Sequence, residues 1–447
     1  MIAGARRQEH DEIAHRVAHT ATVTGRSRSE LEPEPPLTHT GGMTRFVSPL
    51  LRWSALSILT AATAAAEATP QTVIVHAGEF DRRETPVALQ LPAALAGPHS
   101  LAGPAGERVP LQVDPTGRAI FIEPQLARGA SKTYRIEIAP PGAPEVQLEK
   151  QGATLHAAYA GAPIFSYQME PGEVPAGVAE IFRHGAHLHP VFSPSGKVVT
   201  GNHPPDHRWH RGIWFAWTHT EFAGRAPDFW NMGKDNATLS GEVRFDRLER
   251  SWSGPVQGGF ASRHRLIDHT GGGEKDALAE TWEVAVYRPL AGATPAFVFD
   301  LISTQTCASA AAVKLPKYHY GGLGVRGNAQ WDPAEKVTML TSNGDDRKAG
   351  DGSKGKWVHL GGDVDGAPTG LAVLIHPENF RFPQPLRLNP KNPQLCVAPS
   401  QDGDWEIAPG QPYVSRYRFV VADGKPDAAE LNRLWTDYAQ PPQVEIR

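Results

Sequence analysis

Seven of the chain's 19 histidines fall in one short window, at positions 184, 187, 189, 203, 207, 210 and 219. The densest piece, residues 203–215, reads His-Pro-Pro-Asp-His-Arg-Trp-His-Arg-Gly-Ile-Trp-Phe. Imidazole titrates near neutrality, so His207 or His210 could move a proton as general acid or base. Arg208 or Arg211 could hold a carboxylate or a developing oxyanion. Indoles at Trp209, Trp214, Trp217 and Trp230 add flat apolar faces to these polar groups. Donors, acceptors and rings in one segment suit a sugar, whose hydroxyls would take His203 and Asp206 while its C–H face stacks on Trp209 or Trp230. The same residues also read as hydrogen-bonded scaffold, with Trp214 and Phe215 opening a buried strand. A third reading is metal. His207 and His210 lie three apart and His203 four earlier, so a loop could bring them to a divalent ion such as zinc, although no Cys cluster or HExxH supports it. No cofactor is expected.

Three later segments could complete a site. Lys317–Arg326 sets His319, Tyr318, Tyr320 and Arg326 around glycines that let backbone approach a ligand or permit a bulge. His376-Pro-Glu-Asn-Phe-Arg follows the apolar run Leu371–Ile375, so His376 and Asn379 would stand at a strand end. Asp228-Phe-Trp-Asn offers Trp230 with polar flanks, or anchors a loop. Glu283 and Asp300 lie on strands and are expected to face solvent. No Walker loop, GxGxxG unit or GxSxG elbow occurs, which disfavours phosphoryl and nicotinamide chemistry.

The elements that must position these residues read as β. Gly and Pro number 44 and 40 of 447 residues, punctuation that suits short strands joined by turns. The runs 72–75, 87–91, 108–113, 119–122 and 133–138 predict a small β-sandwich domain over 69–142. Pro140-Pro141-Gly142-Ala143-Pro144 predicts a linker, and a second all-β domain follows over 145–447. There Trp282, Val284 and Val286 alternate with Glu283, Ala285 and Tyr287, while Tyr417, Phe419 and Val421 alternate less strictly with Arg416, Arg418 and Val420. Only the tail reads as helix, with Leu431, Leu434, Trp435 and Tyr438 on one face.

With 44 basic against 48 acidic residues and a net charge of −4, the chain lacks the basic field of a nucleic-acid or anionic-membrane partner. From Met43, MTRFVSPLLRWSALSILTAATAAAEA has the basic start, short apolar run and small-residue end of a signal peptide over 43–68. Residues 1–42 read as a disordered or upstream extension. The mature chain would then be exported to the periplasm or beyond, with no integral membrane segment, where Cys307 and Cys396 could pair or stay free.

The stretch PSGKVVTGNHPPDHRWHRGIWFAW (194–217), then DFWN (228–231), YGGLGVR (320–326) and HPENF (376–380), resembles an uncharacterised bacterial PmoA-like family, labelled methane oxygenase PmoA. The resemblance spans roughly residues 145–440. It implies an exported, sugar-associated protein of polysaccharide-degrading bacteria with a galactose-mutarotase-like supersandwich. It supplies no catalytic residues. The preceding domain resembles small β-sandwiches that accompany secreted carbohydrate-active enzymes.

Three functions stay open. The first is an enzyme on a sugar or uronate (hydrolase, lyase or epimerase) with His207, His210 and His319 moving protons and Arg211 and Arg326 neutralising charge. The second is a glycan-binding protein using Trp209, Trp214 and Trp230. The third is the metal-dependent oxygenase of the family label.

Overall fold

The computed structural model describes residues 72–140, 143–233, 237–290 and 295–447, so the signal-peptide reading at 43–68 and the extension before it lie outside the described residues. The described residues fall in one compact unit. Among the described residues the strands make antiparallel sheets of nine, eight, seven and three strands. The expected all-β supersandwich, a smaller β domain before it and one C-terminal helix are what the chain builds.

The seven-stranded sheet takes six strands from Thr72–His76 through Ser131–Ile138, including the five expected runs. Its sixth, Gly97–Ala102, begins GPH and carries none of the β-branched residues that mark a strand. Its seventh comes from the far end of the chain: Gln443–Ile446 pairs with Thr72–His76, Val73 opposite Ile446.

Two large sheets make the rest. In the eight-stranded sheet, Gly241–Trp252, Gln257–Asp268, Lys275–Tyr287 and Ala296–Cys307 run in chain order as hairpin neighbours, followed by Tyr413–Asp423 and Ala367–Ile375. Trp282, Val284 and Val286 are fully buried, as the period-2 pattern requires. They face the nine-stranded sheet, across which Phe165 meets Phe299 at 5.2 Å and Tyr167 stacks on Phe260 at 4.4 Å. On Tyr413–Asp423 the alternation is weak because both faces are covered. Tyr417, Phe419 and Val421 point into the core, while Val420 packs with Leu431, Leu434 and Trp435 of the helix Ala428–Ala439. Asp300 does not face solvent: it holds Arg418 through both oxygens, at 2.7 and 2.9 Å, and accepts from the Tyr287 hydroxyl. Glu283 does lie at the surface, near Arg118 and Arg250.

Among the described residues no helix is long and apolar enough to cross a membrane. Cys307 and Cys396 are free thiols. Cys396 is fully buried on Gln394–Val397, and burial pushes its thiol up to about 11. Cys307 is partly covered and its Sγ lies 3.0 Å from the Ile407 carbonyl. A bulky thiol reagent should therefore label at most one cysteine in native protein and both after denaturation. Rapid native labelling of Cys396 would contradict this packing.

Candidate functional site

The histidine-rich loop is closed at its base before any side chain is considered. Asn202 bridges Arg211, the His203 amide donates to the His210 carbonyl at 3.0 Å, and short turns run from Pro204 to His207 and from His207 to His210. His203 sits at φ 47°, a left-handed conformation that costs a non-glycine residue energy and persists where surrounding contacts enforce it. Gly212 ends the loop at φ 43°, where a Cβ would collide with the Leu188 carbonyl oxygen. The chain then enters the central strand Ile213–Ala216, paired with Gly322–Arg326 on one side and His187–Val191 on the other.

This pairing lets distant residues meet. Arg326, 1% exposed at its strand end, donates to Asp206 Oδ1 at 3.0 Å and Oδ2 at 3.2 Å, and to Asp332. Its Nη1 also lies 3.3 Å from His210 Nδ1. Asp206 Oδ2 in turn takes the His207 Nδ1 contact at 2.8 Å and the Asn392 side-chain amide at 2.6 Å. Partial burial by itself would raise the Asp206 carboxyl, but the hydrogen bonds from His207 and Arg326 and their charge outweigh it and hold the group far below the usual carboxylate range. The His207 ring stacks on His210 at 4.5 Å. Burial keeps His210 far below the ordinary histidine range, reinforced by the charges of His207 and Arg326.

Behind this cluster lies an aromatic wall. His210 touches Trp214, Trp214 touches Trp230 at 4.7 Å, and Trp230 meets Tyr320 at 5.6 Å. Gly324 is the floor of that wall: an added Cβ would stand 2.6 Å from Trp230 and 2.8 Å from Trp214. Gly324→Ala should cost about 1–3 kcal/mol through overpacking and change the near-ultraviolet dichroism of the indoles. An unchanged spectrum and stability would show the wall to be looser than this.

In front, Asp206, His207, Asp332, Arg387, Lys391 and Asn392 line a depression of about 610 Å³. Arg387 is also the wall of an adjoining depression of about 520 Å³ that holds His319 and Tyr318. His207, His210 and Arg326 thus converge, and His319 stands next door. Other expected members do not join them. Trp214 and Trp230 are 0% and 1% exposed, so as it stands neither offers a face to a ligand; Trp209 is half-buried, against Phe182 and His207. Tyr320 bonds Asn231 at 2.9 Å. His376 packs its ring edge on Tyr438 of the terminal helix. Asn379 is buried and pins its loop to the Arg416 backbone by two bonds, which makes it a structural clamp. His203 stacks on His184 at 4.1 Å and bonds the Arg208 carbonyl, so the three histidines offered for a metal are divided between two stacks. Among the described residues, the His and acidic side chains whose ligand atoms do lie together are Glu242, His269 and Glu274, and Arg244 already pairs with both carboxylates there.

Asn392, Asp332, Arg387 and Lys391 were missed from sequence. The Asn389-Pro390-Lys391-Asn392 turn was a visible signal for a loop, but nothing in it says that the loop reaches His207.

A family model described as a family of unknown function, DUF6807, matches residues 154–436. The chain belongs to DUF6807. This agrees with the expected membership of a family without an assigned activity, and the match carries no methane-oxygenase description. The DUF6807 span contains the whole Asp206–His207–Arg326–Asn392 cluster and leaves out the seven-stranded sheet. No curated protein matches the chain. Among solved structures it is similar to a glycosyl hydrolase family 38 protein from Enterococcus faecalis, at 8% identity and a TM-score of 0.36, over 85% of this chain and 47% of that one. An alpha-mannosidase from Enterococcus faecalis V583 matches at 9% identity and 0.33, over 85% and 46%. The chain spans about half the length of these structures, and no substrate follows from likeness at this level.

Proposed function

We propose that this protein is an exported enzyme acting on an acidic sugar, with His207 as the base that removes the proton next to the sugar's carboxylate. The observation that supports this reading is the Asp206–His207 pair in the lining of a depression that Arg387 and Lys391 also line. Asp206, kept ionised by Arg326, takes the Nδ1 hydrogen of His207 and so leaves Nε2 with a lone pair. That nitrogen has no partner among the described residues, and the His207 side chain is 32% exposed. Asn392, on the same carboxylate oxygen, holds the acid in place. Proton removal beside a carboxylate builds negative charge on the carboxyl oxygens, and Lys391 and Arg387, the latter also paired with Asp351, line the depression and would meet it. The outcome is β-elimination when the leaving group departs, or epimerisation when a proton returns on the other face. His319, which lines the adjoining depression with Arg387, would serve a neighbouring sugar residue or the leaving oxygen.

The test is incubation with uronate-containing oligosaccharides in heavy water. Deuterium at the carbon beside the carboxyl, or an unsaturated uronate product, supports the reading. Cleavage without either makes the protein a hydrolase, and affinity without any product makes it a glycan-binding protein; both outcomes remove the proposal.

A further inference from the structure

The chemistry proposed for His207 uses one of two adjoining depressions, and the second has a charge pattern of its own. Lys317, Tyr318, His319, Asp351, Arg387 and Gln401 line it, and Arg387 is common to both. The two also share a run of rings. Trp230, behind the His207–His210 stack, meets Tyr320 at 5.6 Å, and Tyr320 lies 4.7 Å from His319 and 5.0 Å from Tyr318. His319 stands exposed at the end of that run.

The acids that line the two depressions are all paired: Asp206 and Asp332 with Arg326, Asp351 with Arg387. The lysines, Lys391 in the first depression and Lys317 in the second, have no carboxylate partner among the described residues. In the first, Lys391 offsets the one charge that Arg326 leaves over from its two acids. In the second, Arg387 matches Asp351 and the charge of Lys317 stands in excess. Arg387 gives Asp351 only Nη1, while Nε and Nη2 have no partner among the described residues. That Nε–Nη2 edge is the fork that meets a carboxylate side-on. Partial burial and then the charge of Arg387 hold His319 below the ordinary histidine range, so near neutrality its ring is an uncharged donor and acceptor. Arg211, offered from sequence for neutralising substrate charge, is 1% exposed and lines neither depression.

We infer that the second depression is an anion subsite, and that the substrate carries negative charge on two sugar units in succession, as a chain of consecutive uronates does. This rests on the reading of His207 as the base beside one uronate carboxylate and adds the unit next to it. Lys317 would hold the second carboxylate, Arg387 would reach either one, and His319 and the Tyr318 hydroxyl would meet ring hydroxyls. A glycan in which uronates alternate with neutral sugars would leave Lys317 without a partner.

Affinity reads the subsite without turnover. Wild-type protein is titrated by calorimetry at low salt with two hexasaccharides, one of consecutive uronates and one in which uronates alternate with neutral sugars. The consecutive chain should bind about three- to tenfold more tightly, a preference that shrinks with added salt. It should disappear in Lys317→Ala and return in Lys317→Arg. Lys317 is exposed, and its backbone amide rather than its side chain donates to Asp404 at 2.7 Å, so these variants should fold. Lys150→Ala, at the opposite edge of the nine-stranded sheet, should keep the preference. Equal affinities in wild type, a preference that survives Lys317→Ala, or one lost equally in Lys150→Ala would overturn the subsite. Incubating both glycans with wild-type protein keeps the two readings apart. Product without preference removes the subsite and leaves the His207 centre, preference without product removes the centre and supports the subsite, and binding of neither removes both.

Discussion

Replacing His207 by alanine should lower turnover on an acidic glycan by roughly a hundred- to ten-thousand-fold, the usual contribution of a positioned general base. The fold should hardly notice. The ring is a third exposed, and its neighbours Asp206 and Asn392 keep other partners: Asp206 retains Arg326, and Asn392 retains Asp206. Surface changes of this kind usually stay within about 0.5 kcal/mol. Asp206 is argued to act through His207, which makes it a positioning residue with a different signature. Asp206→Asn keeps the shape but puts an amide where Arg326 and Asn392 both donate, so the His207 ring loses its anchor and its tautomer. The expected pattern is a fall in kcat with KM little changed, whereas loss of Lys391, which only meets charge at the rim, should raise KM. Full activity in His207→Ala would remove the centre as proposed. So would equal effects of Asp206→Asn on kcat and on thermal stability, since that would mark a structural role.

Why the sequence pointed to His207 yet missed Asn392 follows from how the site is made. Residues 203–211 are local: turns and a bridge fold them on themselves, so a dense motif in sequence stays a dense cluster in space. Arg326 was within reach of the same reasoning because polar residues at strand ends gather where strands pair. Asn392 enters through the hairpin loop between Gln384–Leu388 and Gln394–Val397, and which loop reaches which strand end is set by sheet order, a non-local property. Asp332 lies only six residues beyond Arg326, but nothing in the sequence says that the connection folds back on it. His376 and Asn379 stood at a strand end as expected, but on the end where the terminal helix docks, so their polarity serves a clamp. The indoles illustrate a different limit. Pattern alone does not tell a stacking platform from a core wall; the strand below decides it, here through Gly324, whose missing side chain makes room for Trp214 and Trp230.

The same non-locality governs the largest stability effect expected in the molecule, at Asp437. The helix Ala428–Ala439 presents this acid, 3% exposed, to the first sheet, where Arg82 Nη1 meets Oδ1 at 2.9 Å and the Thr85 hydroxyl donates to Oδ2 at 3.0 Å. Arg433, one turn earlier on the helix, adds a bond of 2.6 Å. Burial raises the Asp437 carboxyl above its ordinary value despite these partners, which shows how dry the position is. Removing one member of such a pair strands the other. Asp437→Ala leaves the Arg82 guanidinium, itself 3% exposed, with only the Ala77 carbonyl and the Phe80 ring, and should cost about 3–5 kcal/mol in denaturant unfolding. The double variant Arg82→Met/Asp437→Leu removes both charges and should recover most of that loss, because replacing a buried pair by apolar groups is often neutral or better. A second double variant, Arg82→Met/Asp437→Ala, separates charge stranding from a cavity, because it removes the stranded charge and keeps the missing volume at 437. A loss below about 1 kcal/mol in Asp437→Ala would mean that water reaches Arg82. It would also mean that the first sheet does not lean on the last helix, even though Gln443–Ile446 beyond that helix completes the sheet's edge.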